Sequence, residues 1–517
     1  MDSIPKLEAG QQADICLILE GTYPYIRGGV SSWVHQIING FPEYQFALLF
    51  IGATREHYSK MLYELPDNVC HLELYFLSDD DNDKNPLKKP IERKGDSDSY
   101  KVVEQFHSII KQHDVTPSYQ DLADFIQLIH SDKKLTVDDF LYSESSWDYI
   151  TEQYQKNCAD SSFKDYFWTI RAMHKPLFNL FDIARNAPKA KMYHTISTGY
   201  AGLTGMLLRY MWRKPLMLTE HGIYTKERRI DLYQVGWIKE VEPHVLTGLN
   251  ENMSYLRQLW ISFFEGLGRL TYSAADPIIT LYEANRTKQI EYGANPDRCY
   301  VIPNGIRLER FIPLRDKRPQ KVPPILGLIG RVVPIKDIKT YIRTISGVCK
   351  KIPEAEGWII GPEDEDEKYA NECHSLVASL GMQNKVKFLG FQNIDDILPQ
   401  LGLMTLSSIS EGQPLVILEG YAAGLPTLST DVGSCRELVE GRAGEDAALG
   451  KAGAVVPIAN PAAMVEAAVD LLANEDKWYA AQAAAIARVE KYYTEEKFLD
   501  DYRQAYREVF THSKGAN

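Results

Sequence analysis

The chain has 517 residues, of which 44% are hydrophobic, 25% charged and 11% aromatic, a composition that excludes a disordered or fibrous protein. This length is too great for one ordinary core and predicts two large domains. The formal net charge is -13, and an acidic chain repels phosphate backbones, so nucleic acid is not expected as a partner.

The sequence shows no pattern of a signal peptide, a membrane-spanning segment, a disulfide framework or a zinc site. Residues 1–13 lack the apolar segment of a signal peptide, and apolar runs such as residues 15–19 are far too short to cross a membrane. The seven cysteines are dispersed without a C-x-x-C pair, which is typical of reduced thiols and not of disulfides or a zinc site. We expect a cytoplasmic protein that does not span the membrane.

Residues 1–314 predict a Rossmann-like domain. An apolar strand over residues 14–20, a glycine loop and an amphipathic helix over residues 33–38 form the opening of a βαβ unit. Further strands are predicted at residues 46–51, 191–194, 215–219, 270–273, 278–281 and 299–302. Between about residues 78 and 188 the pattern predicts a mainly helical insertion. We expect its aromatic residues to pack inside it, with a sugar platform or partner surface as the alternative; they are Trp147, Tyr149, Tyr154, Tyr166, Phe167 and Trp168.

A second α/β domain is predicted after a charged, proline-rich linker at residues 315–324. Strands at residues 325–329, 358–360, 386–389, 403–406, 427–429 and 454–456 alternate with helices, which predicts a doubly wound parallel sheet over residues 325–490. Helical stretches follow at residues 461–473 and 477–510. We expect the last segment, residues 491–517, to be a helix that crosses back to the first domain.

Ligands of open parallel sheets bind beyond the carboxyl ends of the strands, and two segments at such positions suit an anion. Gly28 and Gly29 follow the first strand, so their backbone N–H groups can approach a phosphate closely. Gly-Gly also serves ordinary tight turns, and this signal alone is weak. Arg331 and Lys336 follow the first strand of the second domain and offer a planar fork and a flexible charge for a diphosphate. Solvated loop cations are the alternative.

Two further segments carry carboxylates and a histidine. We expect Glu411 in a loop above a helix that begins near Pro414, and Glu419 about a turn and a half inside that helix. Carboxylates at these places can accept hydrogen bonds from sugar and ribose hydroxyls, whereas a capping acid and an exposed helical Glu are the alternative. A lone histidine is more often structural than catalytic, but the position of His221 at the end of a predicted strand, before a glycine, raises the case for a functional role.

These segments together resemble the retaining GT-B glycosyltransferases of family four. The resemblance rests on the Gly-Gly loop, the strand-end His221, the G-R-x4-K spacing at residues 330–336 and the E-x7-E spacing at residues 411–419. Residues 303–305, 361–363 and 431–438 fit the same pattern. It implies a GT-B fold, in which two Rossmann-like doubly wound domains face a cleft, the first on the acceptor side and the second binding the nucleotide sugar.

The resemblance also implies how a nucleotide-sugar donor, expected to be a UDP-sugar, is bound without a metal or another cofactor. Arg331 and Lys336 would neutralise the diphosphate leaving group, and Gly28 and Gly29 would approach the phosphates. The loop that binds the donor would comprise Glu411, Gly412, Gln413, Pro414 and Leu415.

The same resemblance assigns roles around the sugar. Glu411 would hold the donor sugar near its anomeric carbon, Glu419 would bind the ribose hydroxyls, and His221 would lie beside the transferred sugar. No well-placed carboxylate nucleophile stands out, which favours front-face retention. Asp337 stands where many relatives have Gly, and Gln413-Pro414-Leu415 replaces a commoner Phe-Gly, so the donor sugar stays open.

Residues 20–33, 221–224 and 411–416 resemble more closely the transferases of bacterial Pel exopolysaccharide systems. This implies a growing polysaccharide of the biofilm matrix as acceptor, and recruitment to the inner membrane by components of the Pel synthase. Two alternatives remain open: a nucleotide-sugar epimerase of the same fold, and a non-catalytic nucleotide-sugar-binding scaffold of a membrane complex.

Overall fold

The protein is represented by a computed structural model that describes residues 4–78, 93–112, 117–131, 135–158, 162–234 and 255–512. The chain forms two compact units. The first comprises Met1–Thr280, Arg286–Tyr300 and Gln504–Asn517, and the second comprises Leu281–Asn285 and Val301–Arg503.

The first unit is built on a seven-stranded sheet, and the chain order of its strands reverses in the middle. The strands are β1 (Ala13–Glu20), β2 (Phe46–Gly52), β3 (Val69–Phe76), β4 (Ala190–Thr195), β5 (Leu216–Glu220), β6 (Ile278–Thr280) and β7 (Cys299–Val301). Their spatial order is β3-β2-β1-β4-β5-β6-β7, and β1 pairs in parallel with both β2 and β4. The apolar runs of β1 and β2 are buried because helices cover both faces of a parallel sheet.

Ten helices of the described chain accompany this sheet, and five of them form an insertion between β3 and β4. The ten are α1 (Gly29–Gly40), α2 (Ser97–Lys111), α3 (Tyr119–His130), α4 (Val137–Tyr142), α5 (Glu144–Asn157), α6 (Phe163–Asn186), α7 (Tyr200–Trp212), α8 (Tyr224–Gln234), α9 (Tyr255–Ala274) and α10 (Glu283–Glu291). Helices α3 and α4 begin with capping boxes in which Ser118 pairs with Asp121 and Thr136 with Asp139. Apolar side chains of the insertion and of the sheet share one core.

The second unit is built on a six-stranded sheet with the same kind of reversal. Its strands are β8 (Ile325–Ile329), β9 (Glu356–Ile360), β10 (Val386–Gly390), β11 (Leu403–Leu406), β12 (Thr427–Thr430) and β13 (Gly453–Val456), in the spatial order β10-β9-β8-β11-β12-β13. The helices are α11 (Leu308–Phe311), α12 (Ile338–Lys351), α13 (Glu367–Ser379), α14 (Ile394–Ile397), α15 (Leu415–Ala422), α16 (Cys435–Glu440), α17 (Pro461–Leu472), α18 (Glu475–Tyr492) and α19 (Glu495–His512). Two separate apolar clusters cover the sheet.

The predicted fold class is confirmed, since each unit is a doubly wound parallel sheet and the described part of the insertion is helical. One predicted strand is wrong, because residues 270–273 belong to α9. Phe263, Leu267 and Leu270 of α9 are buried at helical spacing. Strand β3 was not predicted, because its sequence is only partly apolar and only its first half is well buried.

The predicted linker at residues 315–324 lies inside the second unit. Arg315 donates from Nε to the Ala422 carbonyl over 2.7 Å, and Arg318 donates from Nη2 to the Leu401 carbonyl over 2.7 Å. Both arginines therefore fasten this segment to the second unit, and the boundary between the units lies near residue 300.

The predicted helical stretch at residues 477–510 is two helices, α18 and α19. The break between them lies at Thr494, where Ile306 donates to the Tyr493 carbonyl and accepts from Glu495, so the chain briefly follows a strand-like path. Helix α19 begins in the second unit, and from Gln504 onward it belongs to the first.

A fully buried ion pair fastens α18 within the second unit. Arg488 Nε donates to Asp446 Oδ2 over 2.6 Å, and the other guanidinium nitrogens donate to the carbonyls of Leu438, Val439, Asp446 and Gly450. Every N–H group of the guanidinium is thus directed at an oxygen, which is what makes a buried charge tolerable.

Candidate active site

The chain order of the second sheet reverses between β8 and β11, which are neighbours in the sheet. Loops at such a reversal diverge to opposite sides and leave a crevice beyond the strand ends. Arg331 and Lys336 follow β8, and Glu411 follows β11. Topology therefore brings these three predicted site residues to one crevice.

Lys336 and Glu411 form the centre of this crevice. Lys336 Nζ lies 2.6 Å from Glu411 Oε1, and the same oxygen accepts a hydrogen bond from Ser408 Oγ over 2.6 Å. The Ser407 hydroxyl fixes the loop by donating to the Lys336 carbonyl over 2.8 Å. Both charged side chains are largely shielded from solvent.

Arg331 lies on the exposed side of the same loop. Its Nη1 atom donates to both carboxylate oxygens of Glu365, at 2.6 and 2.5 Å. Both side chains are about half exposed, so an incoming anion can compete for the guanidinium. The loop after β9 lies close to the backbone that precedes Arg331, since a Cβ at Gly361 would lie only 2.1 Å from the Gly330 carbonyl oxygen.

Asp337, which directly follows Lys336, has a backbone conformation that is uncommon for residues other than glycine. Its φ and ψ are 44° and 53°, in the left-handed region that favours glycine and, among other residues, Asp and Asn. The side chain also caps α12 by accepting from the Thr340 N–H over 3.2 Å. The cap offsets part of the strain, so Lys336 keeps its place.

The predicted donor loop, residues 411–415, is held from behind. Gln413 is buried, and its Oε1 accepts from the Asn304 backbone N–H over 2.6 Å, which joins the loop to the segment at residues 303–305. A Cβ at Gly433 would lie 2.1 Å from the Gly412 carbonyl oxygen, so a second loop also presses against it. Pro414 immediately precedes α15, and Leu415 is its first residue.

Glu419 lies on the second turn of α15, as the sequence predicts. Burial raises the pKa of its carboxyl above the usual range, although Arg310 opposes this. Within the described chain its carboxylate has no hydrogen-bond donor. A desolvated carboxylate of this kind gains free energy when hydroxyl groups donate to it.

Sequence reasoning missed Phe391, which directly follows β10. This side chain is 85% exposed, the largest exposure among the bulky apolar residues of the described chain. The Gly361 N–H donates to the Gly390 carbonyl over 2.9 Å, so Phe391 lies on the same rim of strand ends as Arg331. A bulky apolar residue beside a glycine at a strand end was the available signal.

The first sheet reverses between β1 and β4, and the predicted Gly28 and Gly29 follow β1. Gly29 is the first residue of α1, and no atom lies within 4 Å of a Cβ built on either glycine. The φ of Gly28, 167°, is ordinary extended backbone. Neither packing nor backbone conformation within the chain requires glycine here, which is the pattern expected where a ligand approaches.

His221 directly follows β5, at the same edge of the first sheet. Its ring meets Trp33 edge to face, with centroids 4.9 Å apart. Burial lowers the pKa of His221 to about 4, so the imidazole is neutral near pH 7. Beneath it, His194 is bonded to Tyr506 of α19 at 3.0 Å and to Thr219 at 2.9 Å, and burial lowers its pKa to about 3.

Two carboxylates that the sequence reasoning did not single out hold the segment after His221. Glu220 is buried and accepts hydrogen bonds from Tyr272 at 2.7 Å and from the Tyr224 N–H at 3.2 Å, and burial raises its pKa. Glu20 accepts from the Tyr224 hydroxyl at 3.1 Å. Both glutamates therefore act on the start of α8 and position the loop that carries His221.

The predicted site residues thus fall into two sets. Gly28, Gly29 and His221 belong to the first unit, and the others belong to the second: Arg331, Lys336, Glu411, Gly412, Gln413, Pro414, Leu415 and Glu419. In the portions of the chain that the structure describes, no group of three or more His, Cys, Asp or Glu side chains could hold a metal ion. Across the same portions, no helix combines the length and apolar character needed to cross a bilayer.

Comparison with known proteins assigns a family to each part of the chain. Residues 13–297, more than half of the sequence, match the family described as "Domain of unknown function (DUF3492)". The chain belongs to the DUF3492 family. Residues 323–474 match the family "Glycosyl transferases group 1", so this DUF3492 member carries a group 1 glycosyltransferase domain in its second unit.

Curated relatives match part of the chain. The D-inositol 3-phosphate glycosyltransferase of Streptomyces scabiei is 27% identical over 238 residues, which are 42% of this chain and 51% of that protein. The lipopolysaccharide core mannosyltransferase LpsB of Rhizobium meliloti is 29% identical over 203 residues, which are 37% of this chain and 55% of that protein. The chain covers only about half of the length of these relatives.

Solved structures resemble the whole fold of this DUF3492 member. HepE of Anabaena, crystallised with UDP, aligns with a TM-score of 0.54 at 14% identity and covers 95% of this chain and 98% of its own. The sucrose-phosphate synthase of Thermosynechococcus elongatus aligns with a TM-score of 0.57 at 16% identity, covering 96% and 100%. The GT-B class of two Rossmann-like domains is therefore shared with glycosyltransferases of known structure.

Proposed function

We propose that the chain is a glycosyltransferase that moves a sugar from a UDP-sugar to a growing polysaccharide. The observation that carries the proposal is the crevice at the reversal of the second sheet, where Arg331, Lys336 and Glu411 meet. The match of this unit to the group 1 glycosyl transferases and the UDP bound by the similarly folded HepE support it.

Charge on the leaving group is the first problem of this reaction. As the bond between the anomeric carbon and the diphosphate oxygen breaks, negative charge builds on the diphosphate. The fork of Arg331 and the ammonium group of Lys336 stabilise that charge most in the transition state. Arg331 exchanges the exposed Glu365 for the diphosphate, whereas the shielded Lys336 keeps Glu411. These cations supply the positive charge, so the proposed reaction uses neither a metal nor another cofactor.

The sugar is transferred with retention on one face. Glu411 is engaged by Lys336 and Ser408, an arrangement that suits positioning of the donor sugar and not nucleophilic attack. The acceptor hydroxyl attacks the anomeric carbon from the side that the diphosphate leaves, and its proton passes to the departing phosphate oxygen. His221, neutral at pH 7, contributes a hydrogen bond to the sugar without adding charge.

We also propose the biological setting that the sequence resemblance implies. The protein would act, like PelF, in the synthesis of the Pel exopolysaccharide of the biofilm matrix. It would reside in the cytoplasm and be recruited to the inner membrane by the synthase. Fractionation tests the recruitment, because deletion of the membrane components should shift the protein to the soluble fraction. An unchanged distribution would remove this part of the proposal.

Donor turnover and UDP binding test the activity. UDP should raise the melting temperature by binding the native state, and EDTA should leave turnover unchanged. Replacing Arg331 or Lys336 with Ala should lower turnover roughly a hundredfold or more, the scale of losing one oxyanion donor. Arg331→Lys should rescue poorly, because a point charge cannot copy the fork.

Lys339→Ala provides the matched control. Lys339 is the second residue of α12 and is paired with Glu372 at 2.6 Å, and neither Arg331, Lys336 nor Glu411 bonds to it, so its loss should leave turnover unchanged. Near-wild-type turnover of Arg331→Ala or Lys336→Ala would overturn the placement of the diphosphate. Stabilisation by GDP or ADP but not UDP would overturn the donor, and donor consumption without a glycosylated acceptor would favour an epimerase.

A further inference from the structure

The insertion carries exposed aromatic side chains in addition to its packed core. Tyr166 is buried, as the sequence predicts, but Trp147 and Trp168 are 52% and 58% exposed. Tyr142, at the end of α4, is also half exposed. Large aromatic side chains grouped at a surface are unusual unless a ligand or partner covers them.

Two of these aromatic residues, Tyr142 and Trp147, line a hollow between α4, α5 and α6. Its volume is about 360 Å³, within the range of small-molecule sites. The Trp147 ring packs against Phe167, which also lines the hollow, with centroids 5.7 Å apart. The side chains that line the hollow include Phe140, Tyr142, Glu144, Trp147, Asp148 and Arg171.

Arg171 supplies hydrogen-bond donors in fixed positions. Its guanidinium carbon lies 5.8 Å from the ring centroid of Tyr142, 5.2 Å from that of Phe167 and 5.7 Å from that of Trp168. Its Nη1 atom donates to the Leu141 carbonyl over 2.8 Å. No other described residue accepts a hydrogen bond from this guanidinium, so its remaining N–H groups can serve a ligand.

Two carboxylates supply acceptors beside this donor. Glu144 and Asp148 are exposed, lie one turn apart on α5 and both line the hollow. Within the described ranges neither carboxylate has a cation or a hydrogen-bond donor as partner. The hollow therefore combines flat aromatic faces, a fixed donor fork and two available acceptors.

We propose that this hollow, lined by Trp147 and Arg171, binds a segment of the oligosaccharide acceptor away from the reacting end. A sugar ring presents an apolar C–H face to an aromatic ring and a rim of hydroxyls that both donate and accept hydrogen bonds. An apolar protein segment would instead bury Glu144 and Asp148 without partners, at a cost. The inference rests on the proposed function for the nature of the acceptor.

Binding of oligosaccharides to the full-length protein tests the site directly. The probes are tetrasaccharides of glucose and of N-acetylhexosamines, in α-1,4 and β-1,4 linkage, titrated by calorimetry in the absence of donor. The wild type should bind at least one probe, and Trp147→Ala should weaken that binding about tenfold, on the scale of a lost aromatic contact. Trp147→Phe should retain most of it.

Tyr119→Ala is the matched control, since Tyr119 of α3 is 45% exposed on the same insertion and lies against Tyr210. Its oligosaccharide affinity should equal that of the wild type. UDP affinity is measured on the same samples and should not change in any variant. Absence of UDP binding to the wild type would count against the proposed function and leave the oligosaccharide titration readable.

Three results of the titration would overturn the inference: no probe binds the wild type, Trp147→Ala binds like the wild type, or Tyr119→Ala weakens binding as much as Trp147→Ala does. Capture of a membrane protein by the wild type but not by Trp147→Ala, without oligosaccharide binding, would also overturn it in favour of a protein partner.

Discussion

Glu365 is predicted to compete with the donor for Arg331. In the structure both oxygens of this carboxylate lie within 2.6 Å of Arg331 Nη1, and binding of a diphosphate to the guanidinium requires the pair to separate. Both side chains are about half exposed, and exposed ion pairs contribute about 0.2–1 kcal/mol. Glu365→Gln should therefore tighten UDP binding about 1.4- to 5-fold, the same free energy expressed as a ratio of dissociation constants.

The assay is calorimetric titration with UDP at low and at physiological ionic strength. Glu367→Gln is the control, because it removes the same charge from the same acidic stretch at the start of α13. The gain from Glu365→Gln should exceed that of the control, shrink with salt and disappear in an Arg331→Ala background. An equal gain from both variants, or a gain that persists without Arg331, would refute the exchange of partners.

Three further perturbations have definite expected outcomes. Phe391→Ala should weaken UDP binding about tenfold, the scale of one lost stacking contact, whereas Phe391→Tyr should retain it. Equal UDP affinities of the wild type and Phe391→Ala in a titration would contradict a role for the ring. His194 is neutral when folded, with a pKa of about 3, but titrates near 6.5 when unfolded. This histidine should therefore lower the free energy of unfolding by roughly 1.4 kcal/mol for each pH unit below about 6.5, and denaturation of His194→Asn should show a slope shallower by that amount. Asp446→Asn leaves Arg488 buried without its counter-charge and should lower the free energy of unfolding by about 3–5 kcal/mol. The control is Asp431→Asn, which removes one partner of the exposed pair with Arg436 and should change the free energy of unfolding little.

The positions of the site residues of the second unit at the ends of strands can be predicted from the sequence. Apolar runs separated by helical spacings define the strands, and a parallel sheet sends every strand end to one edge. Once Arg331 and Lys336 follow one strand and Glu411 follows another, only the strand order is missing. The sequence pattern does not contain that order, and it is what brings Lys336 to Glu411.

Residues whose role depends on distant partners were harder to find. Glu220 looks like any strand-end carboxylate until Tyr272 and Tyr224 converge on it from other elements. The helix at residues 270–273 was mistaken for a strand because a short apolar run has no period of its own, and the helical spacing emerges only over the twenty residues of α9. The sequence also does not show which aromatic residues of the insertion are exposed. Trp147 and Tyr166 lie in similar helical stretches, but only Tyr166 is buried in the core.

Helix α19 has a consequence for biosynthesis. Tyr506, which completes the hydrogen bonds of His194 inside the first unit, is translated only after the whole of the second unit. At roughly 5–20 residues per second, a ribosome needs on the order of 10–40 s to make that intervening stretch. Throughout this interval the nascent first unit lacks the ring that packs against Phe41 and the hydroxyl that bonds to His194. Completion of its folding is thus postponed until the second unit has been synthesised, which ties the maturation of the two units to a single late event.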